Sequence, residues 1–152
     1  MAVHSTVIFR GFEIDNKYDQ TQTQNLEDLW AHFRVRIDPF APQRMNEYPG
    51  LAASLLANYP HLRSHACDNG AHKSFASELQ DTEVAHALEH LMVELLAEES
   101  ALSRFDIQGQ TAWNFSKDGQ GMYRMRIRGF SSEEQARRIS QHACIIFEDL
   151  SR

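Results

Sequence analysis

Lysine and cysteine are scarce in this chain, and a long apolar run is missing altogether. Each absence closes off a class of protein. A membrane-spanning helix needs about 20 consecutive, mostly apolar residues, and no segment comes near that. The start of the chain lacks the basic-then-apolar layout of a secretory signal, so residence in the cytoplasm is the expectation. Cys67 and Cys144 are the only cysteines. They lie far apart in sequence and make no disulfide framework. A single disulfide is allowed, but two buried free thiols are the expectation in a reducing compartment. Repeats, low-complexity tracts and an interdomain linker are also missing. With 152 residues, 42% of them hydrophobic, the chain suffices for one domain with its own core. The formal net charge of −6 speaks against general nucleic-acid binding.

The shortage of lysine has a counterpart. Only Lys17, Lys73 and Lys117 are lysines, so most basic residues are arginines, five of them in two alternating runs. Phe33, Val35 and Ile37 alternate with Arg34 and Arg36. Tyr123, Met125 and Ile127 alternate with Arg124, Arg126 and Arg128. A period of two predicts two strands, each with one apolar and one arginine face. If the strands are neighbours, the sheet carries a stripe of guanidinium groups. Arginine forks bind carboxylates through paired hydrogen bonds, so an acidic ligand or partner segment is one reading. A solvated face balanced by the excess of Asp and Glu is the other.

A local absence is more telling. Ala85–Ala97 contains no Lys, Arg, Gln, Gly or Pro, although solvated helix faces usually carry the first three. The spacing predicts a helix over Val84–Leu96, with Thr82 as its N-cap. Val84, Leu88, Leu91, Met92 and Leu95 fall on one side. His86, Glu89, His90 and Glu94 fall on the other, expected to face solvent or a cleft. His86, Glu89 and His90 make an H-x-x-E-H pattern. Histidines four apart share a helix face and can hold one Zn²⁺. In the inverted zincin arrangement the glutamate is the proton acceptor. Glu94, one turn further on, leans back toward the same spot and is a candidate third ligand. Such a donor set also accepts Mn²⁺, Co²⁺ or Fe²⁺. The bland reading is an ordinary solvated face.

Elsewhere the patterns predict a strand at Thr6–Phe12, a polar loop at Asp15–Asn25, and a helix opened by Pro49 and ended at Asn58 before Pro60. A short helix is expected over His72–Gln80 and a strand over Gln110–Phe115. A hairpin-like turn over Ser116–Gly121 follows, with Lys-Asp-Gly as its signal. Ser131-Ser-Glu-Glu134 resembles a capping box. It opens a last helix with Ala136, Ile139, Ala143, Ile146, Phe147 and Leu150 on its buried stripe. Strands bracketing helices suggest an α+β two-layer sandwich, with helices on one face of a mostly antiparallel sheet.

From Asp38 onward the order of features resembles the N-terminal domain of cyanophycin synthetases, which build a poly-aspartate backbone with arginine on each side chain. The matching pieces are Arg36-Ile-Asp38, Tyr48-Pro-Gly-Leu51, Pro60-His-Leu-Arg-Ser-His-Ala-Cys67, and above all Thr82–Leu95. The resemblance implies a domain that binds the polymer and, in some members, resembles a zinc metallopeptidase that trims it. It assigns that role to His86, Glu89, His90 and Glu94, and places His65 in the same cleft. The chain departs from the family pattern at Ala85 and at Lys73-Ser-Phe75, where glycines are usual. It also contains no ATP-grasp or ligase segment, so polymerisation is not expected of it.

Three functions compete. The first is a zinc-dependent hydrolase of a peptide or of an Asp/Arg polyamide. The second is a binding module for such a polymer or a protein, without chemistry. The third is a regulatory subunit that uses the helix for packing. An extended substrate along the His86/His90 face could reach Arg34, Arg36, Arg124, Arg126 or Arg128 if the sheet edge is open. If the arginines lie elsewhere, loop residues His65 and Arg63 would line the cleft. No membrane or nucleic-acid partner is expected. The oligomeric state is left open, a homodimer included.

Overall fold

The computed structural model describes residues 8–15, 30–67, 74–103 and 106–152. Its sheet has four strands: β1 (Phe9–Asp15), β2 (Trp30–Ile37), β3 (Gln108–Trp113) and β4 (Met122–Arg128). They lie in the order β1-β2-β4-β3, and every neighbouring pair is antiparallel. The helices are α1 (Leu51–Asn58), α2 (Phe75–Glu78), α3 (Val84–Glu99), α4 (Phe115–Asp118) and α5 (Glu133–Leu150), with short 3₁₀ turns at Met45–Glu47 and Pro60–Ser64. This is the α+β arrangement expected from the sequence. No described helix is long and apolar enough to cross a membrane.

Alternation sets the two layers. Ala31, Phe33, Val35 and Ile37 of β2, with Tyr123, Met125 and Ile127 of β4, are buried under the helices. Their neighbours His32, Arg34, Arg36 and Arg124 are exposed on the other face. A shift of one residue would exchange the two sets, so burial of one face fixes the register. The two arginine-bearing strands are indeed neighbours, and Arg34 stands directly opposite Arg124. At the exit of β2, Gly121 is irreplaceable. A Cβ there would sit 2.3 Å from the Ile37 carbonyl oxygen, and its φ of 81° lies in the left-handed region that favours glycine.

Helix α5 follows its predicted stripe. Ala136, Ile139, Ala143 and Phe147 are buried, while Ile146 and Leu150 are partly so. Ser132 caps it by accepting the Gln135 N–H at 3.1 Å, a contact worth about 1 kcal/mol. Phe147 meets Phe9 of β1 edge to face, with ring centres 5.7 Å apart.

Several boundaries differ from expectation. Strand β1 runs to Asp15, while Thr6 and Val7 lie outside the described residues, as does most of the expected loop over 15–25. Helix α1 starts at Leu51, because Gly50 in the left-handed region ends the preceding turn, so Pro49 is not in its first turn. Only Phe75–Glu78 of the expected His72–Gln80 helix is helical among the described residues, with Ser74 as its cap. The expected turn after β3 is the one-turn helix α4, capped by Asn114. Cys67 and Cys144 are not joined in a disulfide, and both are partly buried. Burial and nearby Glu148 push the Cys144 thiol up to about 12, which leaves it inert at neutral pH.

Of the two surroundings expected for the His/Glu side of α3, solvent or a cleft, the structure has the cleft, and both sides of the helix are buried: Glu89 is 3% exposed, His90 6% and Glu94 0%. Helix α5, strands β3 and β4, and the Pro60–Ser64 turn surround it. The lack of Lys, Arg and Gln along Ala85–Ala97 follows from this enclosure.

Candidate functional site

Three donor atoms meet at the N-terminal half of α3. His86 Nε2 and His90 Nε2 are 3.1 Å apart, and Cys67 Sγ is 3.6 Å from His86 Nε2. The three lie within 4.8 Å of one another and form a group able to hold a metal ion. With Zn–N of about 2.0–2.1 Å and Zn–S of about 2.3 Å, tetrahedral geometry requires N···N near about 3.4 Å and N···S near about 3.6 Å. The 3.1 and 3.6 Å pairs are close to these spacings, and Cys67 and His90, within 4.8 Å, would draw together around a shared ion.

Proton bookkeeping points the same way. Glu94 Oε1 lies 3.3 Å from His65 Nε2, and His65 Nδ1 lies 3.0 Å from His90 Nδ1. With Glu94 as acceptor, His65 donates from Nε2 and accepts at Nδ1 from His90. That leaves His90 Nε2 as a bare lone pair. The Thr82 hydroxyl reaches Glu83 Oε2 at 3.3 Å and lies 2.8 Å from His86 Nδ1. If it donates to Glu83, His86 donates from Nδ1 and its Nε2 is bare as well. Two lone pairs aimed at one spot repel unless a cation lies between them. Burial depresses the pKa of both rings. That of His90 lies well below the ordinary range, with His86 and His65 adding to the effect, while Glu78 and Glu83 partly oppose the shift at His86. Both shifts favour the neutral imidazole, the form a metal requires. The 3.6 Å approach of His90 Nε2 to Glu89 Oε2 is accordingly not an ion pair. Phe75 stacks on His90 at 3.7 Å between ring centres and fixes its plane.

Glu89 stands beside this group. Its Oε1 accepts a 2.8 Å hydrogen bond from the Thr111 hydroxyl of β3. Burial pushes its carboxyl up to about 7, against the lowering effect of that hydrogen bond. The carboxylate lies flat against β3 because residue 109 is glycine. A Cβ on Gly109 would be 2.7 Å from Glu89 Oε2 and 2.9 Å from its Cδ.

The residues named from sequence thus take different places. His86, Glu89 and His90 come together as expected. Glu94 does not join the donor group; it is buried behind His90 and bonded to His65, and Cys67 supplies the third donor instead. His65 lines the cleft as expected and also orients His90. Thr82 is not the N-cap, a position Glu83 takes without a side-chain bond; Thr82 orients His86. Cys67, Thr82, Phe75, Gly109 and Thr111 went unnoticed in the sequence as site residues. The available signal was for Cys67, which ends the Pro60–Cys67 segment shared with the family; Gly109 preceded the strand expected at Gln110–Phe115, which starts at Gln108 instead.

The site opens into a cleft of about 870 Å³. His65, Cys67, His86, Glu89 and His90 form one wall, β3 forms the other, and Trp30 stands at one end. Arg34, Arg36 and Arg124 are on the opposite face of the sheet and do not line it. Arg126 and Arg128 are also outside its lining, but their guanidinium carbons are 4.4 and 5.7 Å from the centre of the Trp30 ring, and Trp30 does line it. Arg63 is exposed and outside the cleft lining.

A family model described as the cyanophycin synthase-like N-terminal domain matches residues 32–152, and the chain belongs to that family. No curated protein matches it.

Proposed function

We propose that this chain is a zinc-dependent amide hydrolase acting on a peptide or on a polyamide of the aspartate–arginine kind. The observation that carries the reading is the meeting of three neutral-nitrogen and sulfur donors with one buried carboxylate at the floor of an open cleft. His86 and His90 would hold the ion through Nε2, and Cys67 through its thiolate. Bound there, zinc would supply Lewis-acid polarisation of the scissile carbonyl and lower the pKa of water.

The chain's own groups do the rest. Glu89 Oε2 takes the proton of the attacking water and returns it to the departing amine nitrogen. Thr111 holds Oε1, which leaves Oε2 for this task. Glu94 and His65 hold the His90 ring in one tautomer, as outer partners of metal-bound histidines generally do. Family membership supports the polymer as substrate class.

A binding module without chemistry is the second reading, favoured by Arg126 and Arg128, which stack on the cleft residue Trp30. Zinc content and hydrolysis of aspartate–arginine polymer, measured on wild type and Glu89→Gln, separate the two. The expected outcome is unchanged zinc and a loss of about 10²–10⁴ in turnover. Equal turnover in the variant would discard Glu89 as the base, and no hydrolysis by zinc-loaded wild type would favour the module.

A further inference from the structure

Strand β3 is at the edge of the sheet, and its open side is a wall of the cleft. The register determines which of its main-chain groups face that opening. Ile37 N–H donates to the Gly121 carbonyl at 2.9 Å, one step beyond the pair Arg36 and Met122. Hydrogen-bonded and non-hydrogen-bonded pairs alternate along an antiparallel ladder. The odd-numbered residues of β4 therefore bond to β2, and the even-numbered ones to β3. Their β3 partners are Gln108, Gln110 and Ala112. The amides and carbonyls of Gly109, Thr111 and Trp113 consequently point away from β4. Among the described residues, no backbone group bonds to them.

We propose that the ligand of this cleft is an extended peptide chain that joins the edge of β3 as a fifth strand, with acidic side chains at the alternate positions facing the arginine side of the sheet. The proposal rests on the cleft being the binding site, as above, and not on hydrolysis taking place there. Edge strands are usually protected by Lys, Pro or a bulge. Strand β3, Gln-Gly-Gln-Thr-Ala-Trp, has no Pro or charged residue, and its ladder to β4 has no register shift. Residues of an added strand opposite Gly109 and Thr111 would bond to β3 and turn their side chains toward α3, which carries their main chain past Glu89. The intervening residues would lie beside Gln110 and Ala112. The small Ala112 side chain leaves a second cavity there of about 120 Å³, lined also by Arg124 and Arg126. Arg126 leans toward β3, with Nε donating to Gln110 Oε1 at 2.8 Å. Arg124 holds Asp118 and Arg126 holds Gln110, each through Nε and Nη2, so a carboxylate at that position would meet the remaining guanidinium N–H groups. Main-chain bonds then give affinity and alternate side chains give specificity, as in other strand additions.

The test uses the full chain carrying Glu89→Gln, to prevent cleavage, and a synthetic peptide of alternating serine and aspartate. Two analogues are N-methylated, one on every serine amide and one on every aspartate amide. Amide hydrogen exchange is followed by NMR. At ten times the dissociation constant, the Gly109, Thr111 and Trp113 amides should exchange about tenfold more slowly. The Gln108, Gln110 and Ala112 amides, already bonded to β4, report that the variant is folded. Methylation of the serine amides, which would face β3, should abolish binding, and methylation of the aspartate amides should leave it. Absence of binding, binding without slowing at those three amides, or equal sensitivity to the two methylations would overturn the proposal. Zinc content and hydrolysis by the wild type are read separately, so the strand proposal and the hydrolase reading can fail independently.

Discussion

Gly109→Ala is the most informative single change, because it disturbs the carboxylate of Glu89 without touching a metal donor. The new Cβ would stand 2.7 Å from Glu89 Oε2, 2.9 Å from Cδ and 3.0 Å from Cγ. Favourable carbon contacts lie at about 3.5–4.0 Å, so the carboxylate must retreat by about 0.5–1 Å. Glu89 is 3% exposed and has little room to do so. Its 2.8 Å bond from Thr111, two residues along the same strand, would stretch or break. Overpacking costs about 1–3 kcal/mol, and replacing glycine returns about 0.4–1 kcal/mol through the unfolded chain. The net loss of stability should be about 1–2 kcal/mol, which lowers the Tm of a chain this size by about 2–8 °C. A misplacement of about 1 Å costs about 10²-fold in rate. The assays are thermal unfolding, zinc stoichiometry and turnover of aspartate–arginine polymer. Zinc should be unchanged and kcat should fall by that factor. Wild-type kcat in a folded variant would refute the placement of Glu89 as the proton acceptor against β3.

Three further changes separate the supporting contacts. His65→Ala and Glu94→Gln should each weaken zinc affinity about 10–100-fold in a chelator competition, because they release the His90 ring; a loss as complete as in His90→Ala would make Glu94 a direct donor. In metal-free protein, Glu89 has a folded pKa of about 7, raised from 4.5. The cost of ionising it is absent below pH 4.5, grows as pH rises and is complete above pH 7. Glu89→Gln should therefore stabilise the metal-free chain by about 3 kcal/mol at pH 8 and hardly at all at pH 4.5 in urea unfolding; an equal gain at both pH values would contradict the burial argument. Arg124→Ala/Arg126→Ala should weaken polymer binding at low salt more than at high salt. Unchanged binding would remove the arginine face from recognition.

Local periodicity made much of this fold legible. The arginine alternation in β2 and β4 and the apolar stripe of α5 are patterns over neighbouring residues, and each gave the buried face correctly. The pairing of His86 with His90 is also local, since one helical turn brings them together. What was hidden depends on contacts across the chain. Cys67 reaches His86 only through the path of the Pro60–Ser64 turn and the segment after it. The Gly109 and Thr111 contacts to Glu89 arise where β3 packs on α3. Glu94 shares a helix face with His90, but spacing alone could not show that His65 stands behind that ring and takes its carboxylate. The composition of α3 held a clue to its full burial: a face with His and Glu but no Lys, Arg or Gln is not a typical solvated one.

The central claim is the metal site, and elemental analysis tests it most directly. The protein is produced in zinc-replete medium and purified without chelator or a nickel column, as wild type, Cys67→Ser and His90→Ala. The expected result is about one zinc per wild-type chain, as a three-donor site on one helix and one loop would hold, and a large loss in both variants. Less than about a tenth of an equivalent in the wild type, with no uptake when zinc is added back to the folded chain, would contradict it.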